Sequence, residues 1–179
     1  MDTLHTVKFL ARALSALLPC AGALVSCSHQ VKGRQAVSYH FEPGRSALFQ
    51  NGLAYPPKNA PLAVKRAMAA GNRLQRKPYK WAGGHRVHED SGYDCSGTVS
   101  YVLDEAGLIK GAIPSKGYFN YGDKGEGKWI TVYTRRGHAF VTIAGLRLDA
   151  GGSGERSGPR WKPEPRKGTG YVMRHPPGL

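Results

Sequence analysis

The sequence predicts a segregated α+β domain in which helices come first and antiparallel strands follow. Three observations carry this. Two stretches before residue 107 repeat apolar residues at spacings of three and four, the period of a half-buried helix. Beyond residue 128 the apolar runs are short and bounded by turn residues, as in strands. The 24 Gly and 12 Pro among 179 residues point to a loop-rich chain rather than a helix bundle. Helices followed by strands also disfavour alternating βαβ units.

In chain order, residues 27–60 read as a tether and loosely structured lead-in, with Pro43, Gly44, Gly52 and Pro56-Pro57 breaking any period. A short strand is expected at 37–41. The first helix is expected over 61–74. Pro61 suits a first-turn position, and Leu62, Ala67, Met68, Ala70 and Leu74 form its apolar stripe. Pro78 ends it, and 79–94 is a Gly-rich loop. The second helix is expected over 96–106, with Val99, Val102, Leu103 and Ala106 on one face and Gly107 as its stop. A Gly-rich excursion covers 111–128 and a strand 129–133. A hairpin then joins 139–143 to 146–150 through Ala144-Gly145. Residues 151–170 read as a loop and 171–174 as a last strand.

Charge and cysteine usage narrow the class. Lys and Arg number 26 against 12 Asp and Glu, a net charge of +14. Such an excess points to an anionic partner without naming one. No apolar run approaches the ~20 residues of a membrane span, which excludes a multi-pass protein. The aromatic and aliphatic content argues against wholesale disorder. Three cysteines are too few for a disulfide-built scaffold.

The N-terminus reads as an export signal. Lys8 and Arg12 precede an uncharged, apolar or small stretch from Ala13 to Ser26. Its end, Leu24-Val25-Ser26-Cys27, resembles a bacterial lipobox. That implies a lipoprotein-type signal over 1–26, with Cys27 the acylated N-terminus and the protein held in the cell envelope. Cys20 leaves with the signal, so Cys95 is the one thiol expected in the folded body.

Cys95 sits where a loop becomes a helix. A helix N-terminus carries partial positive charge, which favours a thiolate over a thiol. A cysteine nucleophile also needs a base and a group to orient that base. His138 begins a strand. A two-residue turn at Ala144-Gly145 opposes Ile143 to Leu146 and hence Phe140 to Asp149. His138 and Asp149 are then diagonal neighbours on one face, ~7–8 Å apart at Cα and within side-chain contact. A one-residue slip would put Asp149 on the other face.

These residues resemble a family. Pro78-Tyr79-Lys80-Trp81-Ala82-Gly83-Gly84 followed by Gly92-Tyr93-Asp94-Cys95-Ser96-Gly97 is similar to the paired boxes of NlpC-type cell-wall cysteine peptidases. Gly137-His138-Ala139-Phe140-Val141 resembles their second box and Leu148-Asp149-Ala150 their third, in the same order, over about residues 62–174. The resemblance implies a permuted papain-like domain over 61–179, its Cys-bearing helix packed on a central antiparallel sheet. It also implies Cys95 as nucleophile, His138 as general base, Asp149 as the orienting third member and Tyr79 as an oxyanion donor. Asp94 and Ser96 would bind the stem peptide of peptidoglycan, and no metal or other cofactor is needed. The chain departs from the family in three places. Ala82 stands where Gly is usual, residues 85–89 lengthen the loop, and Asp149 replaces a commoner His.

The implied activity is hydrolysis of stem-peptide amide bonds through an acyl-enzyme. An amidase or acyltransferase using the same dyad, and a non-catalytic wall-binding module, remain open at this stage, as does oligomeric state. The expected partners are peptidoglycan stem peptides and, through the Cys27 lipid, a membrane. Nucleic acid is not expected, because an export signal leads away from it and no recognised motif supports it. His85 and His88 lie near Glu89 and Asp90, but no complete set of metal ligands emerges from the sequence. Arg156, Arg160, Lys162, Arg166 and Lys167 read as a basic loop, either a solvated face or a hold on an acidic polymer.

Overall fold

The computed structural model describes residues 36–151 and 157–179. The expected signal over 1–26, the candidate lipid anchor Cys27 and the start of the tether lie outside the described residues. None of the described helices is long and apolar enough to cross a membrane.

The chain forms β1 (Ala36–Val37), β2 (Leu48–Gln50), β3 (Leu53–Tyr55), α1 (Leu62–Arg73), α2 (Cys95–Glu105) and a 3-10 helix (Ser115–Asn120). There follow β4 (Asp123–Lys124), β5 (Ile130–Arg135), β6 (His138–Ile143), β7 (Leu146–Asp149), β8 (Arg160–Lys162), β9 (Arg166–Lys167) and β10 (Val172–His175). The main sheet has six strands in the order β4-β10-β5-β6-β7-β8, with every neighbour antiparallel. The fold is α+β as expected, with the Cys-bearing helix α2 packed on the central strands β6 and β7.

The core explains the helices. In α1, Ala67, Met68 and Ala70 are buried as the sequence stripe expected, and so is Leu74 just after the helix, but Leu62 is exposed and Val64 takes its place in the core. Pro61 precedes the helix as its N-cap. Gly71, an unfavoured residue inside a helix, gives room to β8. A Cβ there would stand 2.4 Å from Trp161 Cζ2. Trp161 Nε1 also donates to Asn72 Oδ1 at 2.8 Å, and Gln75 Oε1 accepts from the Trp161 backbone N–H at 2.9 Å. α2 is buried along almost its whole length, from Ser96 to Leu103, between α1 and the sheet.

The β6–β7 hairpin has the expected register. Ile143 pairs with Leu146 and Val141 with Leu148. Ala144 and Gly145 both take positive φ, 45° and 77°, the backbone that matches a two-residue turn to strand twist.

Two regions differ from expectation. Within 36–60 most residues are exposed, but a few are anchored to the core. Ala47 and Ala54 are fully buried, and Asn72 spends both ends of its amide on the Ala54 backbone at 2.9 Å. The strand expected at 37–41 is only Ala36–Val37. Within 151–170, expected as loop, β8 extends the main sheet and β9 pairs with β1. Ala36 opposes Lys167 and Val37 opposes Arg166. β8 pairs with the preceding strand β7 across the intervening loop, whereas β9 owes its pairing to a partner at the other end of the described chain.

Candidate active site

Cys95 is the first residue of α2, partly exposed, and the one cysteine among the described residues. Asp94 caps the helix by accepting from the Gly97 backbone N–H at 2.7 Å. That satisfies one donor of the first turn. The Cys95 N–H lies in the same turn, where no intrahelical acceptor is available. The loop before the helix must come very close to it. A Cβ on Gly97 would lie 2.0 Å from the Gly83 carbonyl oxygen, and one on Gly83 2.3 Å from the Gly92 oxygen. The glycines of the Cys box therefore set how closely loop and helix nest. Ala82 takes a left-handed backbone, φ 56°, which explains why Gly is the usual residue there.

The loop is held by Asp90, which is buried. Lys80 Nζ lies 2.6 Å from Asp90 Oδ1, and the Gly84 and Ser91 backbone N–H groups donate at 3.0 and 2.6 Å. The Lys80 ammonium, then these N–H groups, hold the Asp90 carboxyl well below the usual carboxylate range. A bridge between Tyr79 and Tyr93 pins the other side of the loop beside the Cys box.

His138 opens β6 and is buried. Its Nε2 donates to Asp149 Oδ1 at 3.0 Å, the contact expected from the hairpin register. That leaves Nδ1 free of the carboxylate, and Cys95 lines the same cleft as the imidazole. Burial alone would lower the His138 pKa. The hydrogen bonds with Asp149 and Cys95, and their charges, outweigh burial and leave it raised above its ordinary value.

Asp149 has no solvent-exposed side-chain surface. Arg147 Nη1 donates to its Oδ2 at 2.7 Å, and Arg166 Nη1 lies 2.9 Å from the same oxygen. A buried carboxylate needs such pairing to offset its lost hydration. One oxygen is thus held by two guanidiniums while the other is aimed at His138. Arg166 is further fixed by Nη2 donating to Tyr171 Oη at 3.0 Å and by lying 5.1 Å over the Phe140 ring. Sequence reasoning missed Arg166 because it sat in an apparently solvated basic run.

Cys95 and His138 line an open cleft of about 660 Å³ with Tyr79, Asp94, Ser96 and Arg135. Trp81, also on its wall, is 84% exposed. Asp149 stands behind His138 and does not line the cleft. The structure thus gathers Cys95, His138, Asp149, Tyr79, Asp94 and Ser96 into one region. Asp94 Oδ1 is already engaged by the Gly97 N–H, by Ser96 Oγ at 3.2 Å and by His85 Nε2 at 3.1 Å. His85, from the lengthened loop, is a member of this cluster that sequence reasoning left unassigned.

His88 lies on the same loop but does not join the cleft. Its Nε2 is 2.7 Å from Glu105 Oε1, and Tyr101 Oη donates to Glu89 Oε1 at 2.7 Å. Ligand atoms of His88, Glu89 and Glu105 fall within 4.8 Å of one another. Arg73 pairs with Glu105 at the same place. A guanidinium there opposes a cation, so this set serves to tie the loop to α2.

No family model matches the sequence, and no curated protein matches it. Two solved structures of variants of the Resuscitation Promoting Factor Interacting protein RipA are similar. One has 24% identity and a TM-score of 0.47, covering 65% of this chain and 65% of that one. The other has 26% identity and a TM-score of 0.46, covering 63% and 62%. The chain spans less than two thirds of the length of either.

Proposed function

We propose that this chain is a cysteine hydrolase of the cell wall that cleaves amide bonds in peptidoglycan stem peptides. The observation that carries the reading is Cys95 at a helix N-terminus sharing one cleft with His138, whose imidazole is held from behind by Asp149. The substrate class rests on the resemblance of the Cys and His boxes to NlpC-type peptidases.

In this mechanism His138 Nδ1 accepts the Cys95 proton, and Asp149 supports the imidazolium that forms. The Cys95 sulfur attacks the amide carbonyl. The Cys95 N–H and the Tyr79 hydroxyl donate to the oxyanion. His138 returns its proton to the leaving amine as the carbon–nitrogen bond breaks, giving a thioester. Water, deprotonated by His138, then attacks the thioester and releases the acid and free Cys95. Asp94, Ser96 and the exposed Trp81 hold the peptide along the cleft. Export, with Cys27 as a lipid anchor, belongs to the same proposal and would place the enzyme beside its polymer.

Incubation with purified peptidoglycan tests the reading. The chain should release soluble fragments, and its Cys95→Ala form should release none. Equal release by both would refute a Cys95 mechanism.

A further inference from the structure

A second pocket lies beside the cleft. It is lined by Pro114, Ser115, Lys116, Phe119, Arg136 and Gly137, and it shares Ser115 and Gly137 with the cleft that holds Cys95. The second has a volume of about 760 Å³, enough for one or two peptide residues.

Its walls are positioned by the fold. The β5–β6 hairpin turns at Arg136-Gly137, immediately before His138, and Arg135 pairs with His138 in the ladder. The 3-10 helix supplies Lys116 and Phe119. It is fixed from two sides. Thr134 Oγ1 donates to the Ser115 carbonyl at 2.5 Å, and the buried Tyr118 hydroxyl meets Ser100 Oγ of α2 at 2.9 Å. The pocket therefore keeps a set distance from both Cys95 on α2 and His138 on β6.

The chemistry of this pocket is cationic with one aromatic wall. Lys116 and Arg136 are exposed, and neither forms an ion pair among the described residues. Arg135, which lines the neighbouring cleft, lies 5.0 Å over the Tyr171 ring. Elsewhere in the site arginines are matched to Asp149. Here the cations meet no anion among the described residues.

We propose that this pocket is a carboxylate subsite, in which Lys116 and Arg136 bind an acidic group of the peptide while Phe119 packs against its aliphatic part. The inference rests on the hydrolase reading for its choice of a peptide ligand, because stem peptides carry free carboxylates. Selectivity would come from charge. A peptide with its carboxylates amidated would lose the contact and keep the rest.

Binding to the full-length Cys95→Ala chain at physiological salt tests this without turnover. The probe is synthetic L-alanyl-γ-D-glutamyl-L-lysyl-D-alanine, as the free acid and with its carboxylates amidated. Two partly exposed charge contacts predict about tenfold tighter binding of the acid. Adding Lys116→Gln and Arg136→Gln should bring the two affinities within about twofold of each other and leave that of the amide unchanged. A control pair, Lys110→Gln and Lys124→Gln, removes the same charge elsewhere and should keep the discrimination. Equal discrimination with and without Lys116 and Arg136, loss of it in the control pair, or no binding of either peptide would overturn the subsite. Cleavage of the acid peptide by the unsubstituted chain reports separately on the hydrolase reading. Cleavage with unchanged discrimination rejects the subsite alone. Discrimination that collapses without any cleavage rejects the hydrolase alone.

Discussion

Arg166 of β9 reaches Asp149 at the end of β7, with Nη1 2.9 Å from Oδ2. Arg147 holds the same oxygen at 2.7 Å, so the carboxylate that orients His138 is itself oriented from behind. Replacing Arg166 by Met keeps much of the side-chain volume over Phe140 and removes half of the clamp. The expected cost is about 1–3 kcal/mol of stability, the range for leaving a buried charge underpaired. Hydrolytic kcat should fall about tenfold with KM little changed, because Arg166 acts through Asp149 and His138 rather than on substrate. Thermal unfolding and steady-state kinetics on one preparation check both. Asp149→Ala should cost more, about 3–5 kcal/mol, since it strands two guanidiniums.

The raised pKa of His138 has a signed consequence. A group whose folded pKa lies above its unfolded value of about 6.5 stabilises the fold fully below that pH. The contribution is lost as pH rises through the folded value. The difference in unfolding free energy between the chain and its His138→Gln variant should therefore be largest below pH 6.5 and shrink toward alkaline pH. Cys95 is one of the two partners that raise this pKa. Cys95→Ala should lower it, leaving Asp149 as the remaining support. Histidine NMR titration of both proteins reads this directly.

At Ala82 the backbone is left-handed with a Cβ present. Ala82→Gly relieves a strain of about 1 kcal/mol and gives part of it back as entropy of the unfolded chain. A net gain of about 0.5 kcal/mol in denaturant unfolding is expected, with activity unchanged.

Gly97 shows the opposite case. A Cβ there would meet the Gly83 carbonyl oxygen, a backbone atom that cannot rotate away. Gly97→Ala should separate the loop from α2, lose about 2–4 kcal/mol, and move Tyr79 away from Cys95. Its kcat should fall even at temperatures where circular dichroism shows a folded protein.

Much of this arrangement was legible in the sequence where the signal was local. The period of Ala67, Met68, Ala70 and Leu74 gave α1 to within a residue at each end. The Ala144-Gly145 turn carried enough register information to place His138 against Asp149. What stayed hidden depends on contacts between distant segments. β8 and β9 are two or three residues long and basic, set among Pro and Gly, so neither alternation nor propensity marks them. β8 meets Leu148 only across a Gly-rich loop, and the β9 partner, Val37, lies far off in the chain. Arg166 looked like one cation in a solvated run until that pairing buried it beside Asp149. The anchors within 36–60 carry no apolar period of their own: Ala54 is held by the Asn72 side chain and Ala47 by the Ala144 carbonyl.

The central claim is that an acyl group passes through the Cys95 sulfur. Intact-protein mass spectrometry after acid quench of a reaction with stem peptide tests it most directly. A mass increase equal to the acyl half of the peptide, mapped to Cys95 and removed by hydroxylamine, is the expected result. Peptide cleavage that proceeds undiminished in the Cys95→Ala protein, with no such adduct in the unsubstituted chain, would contradict it.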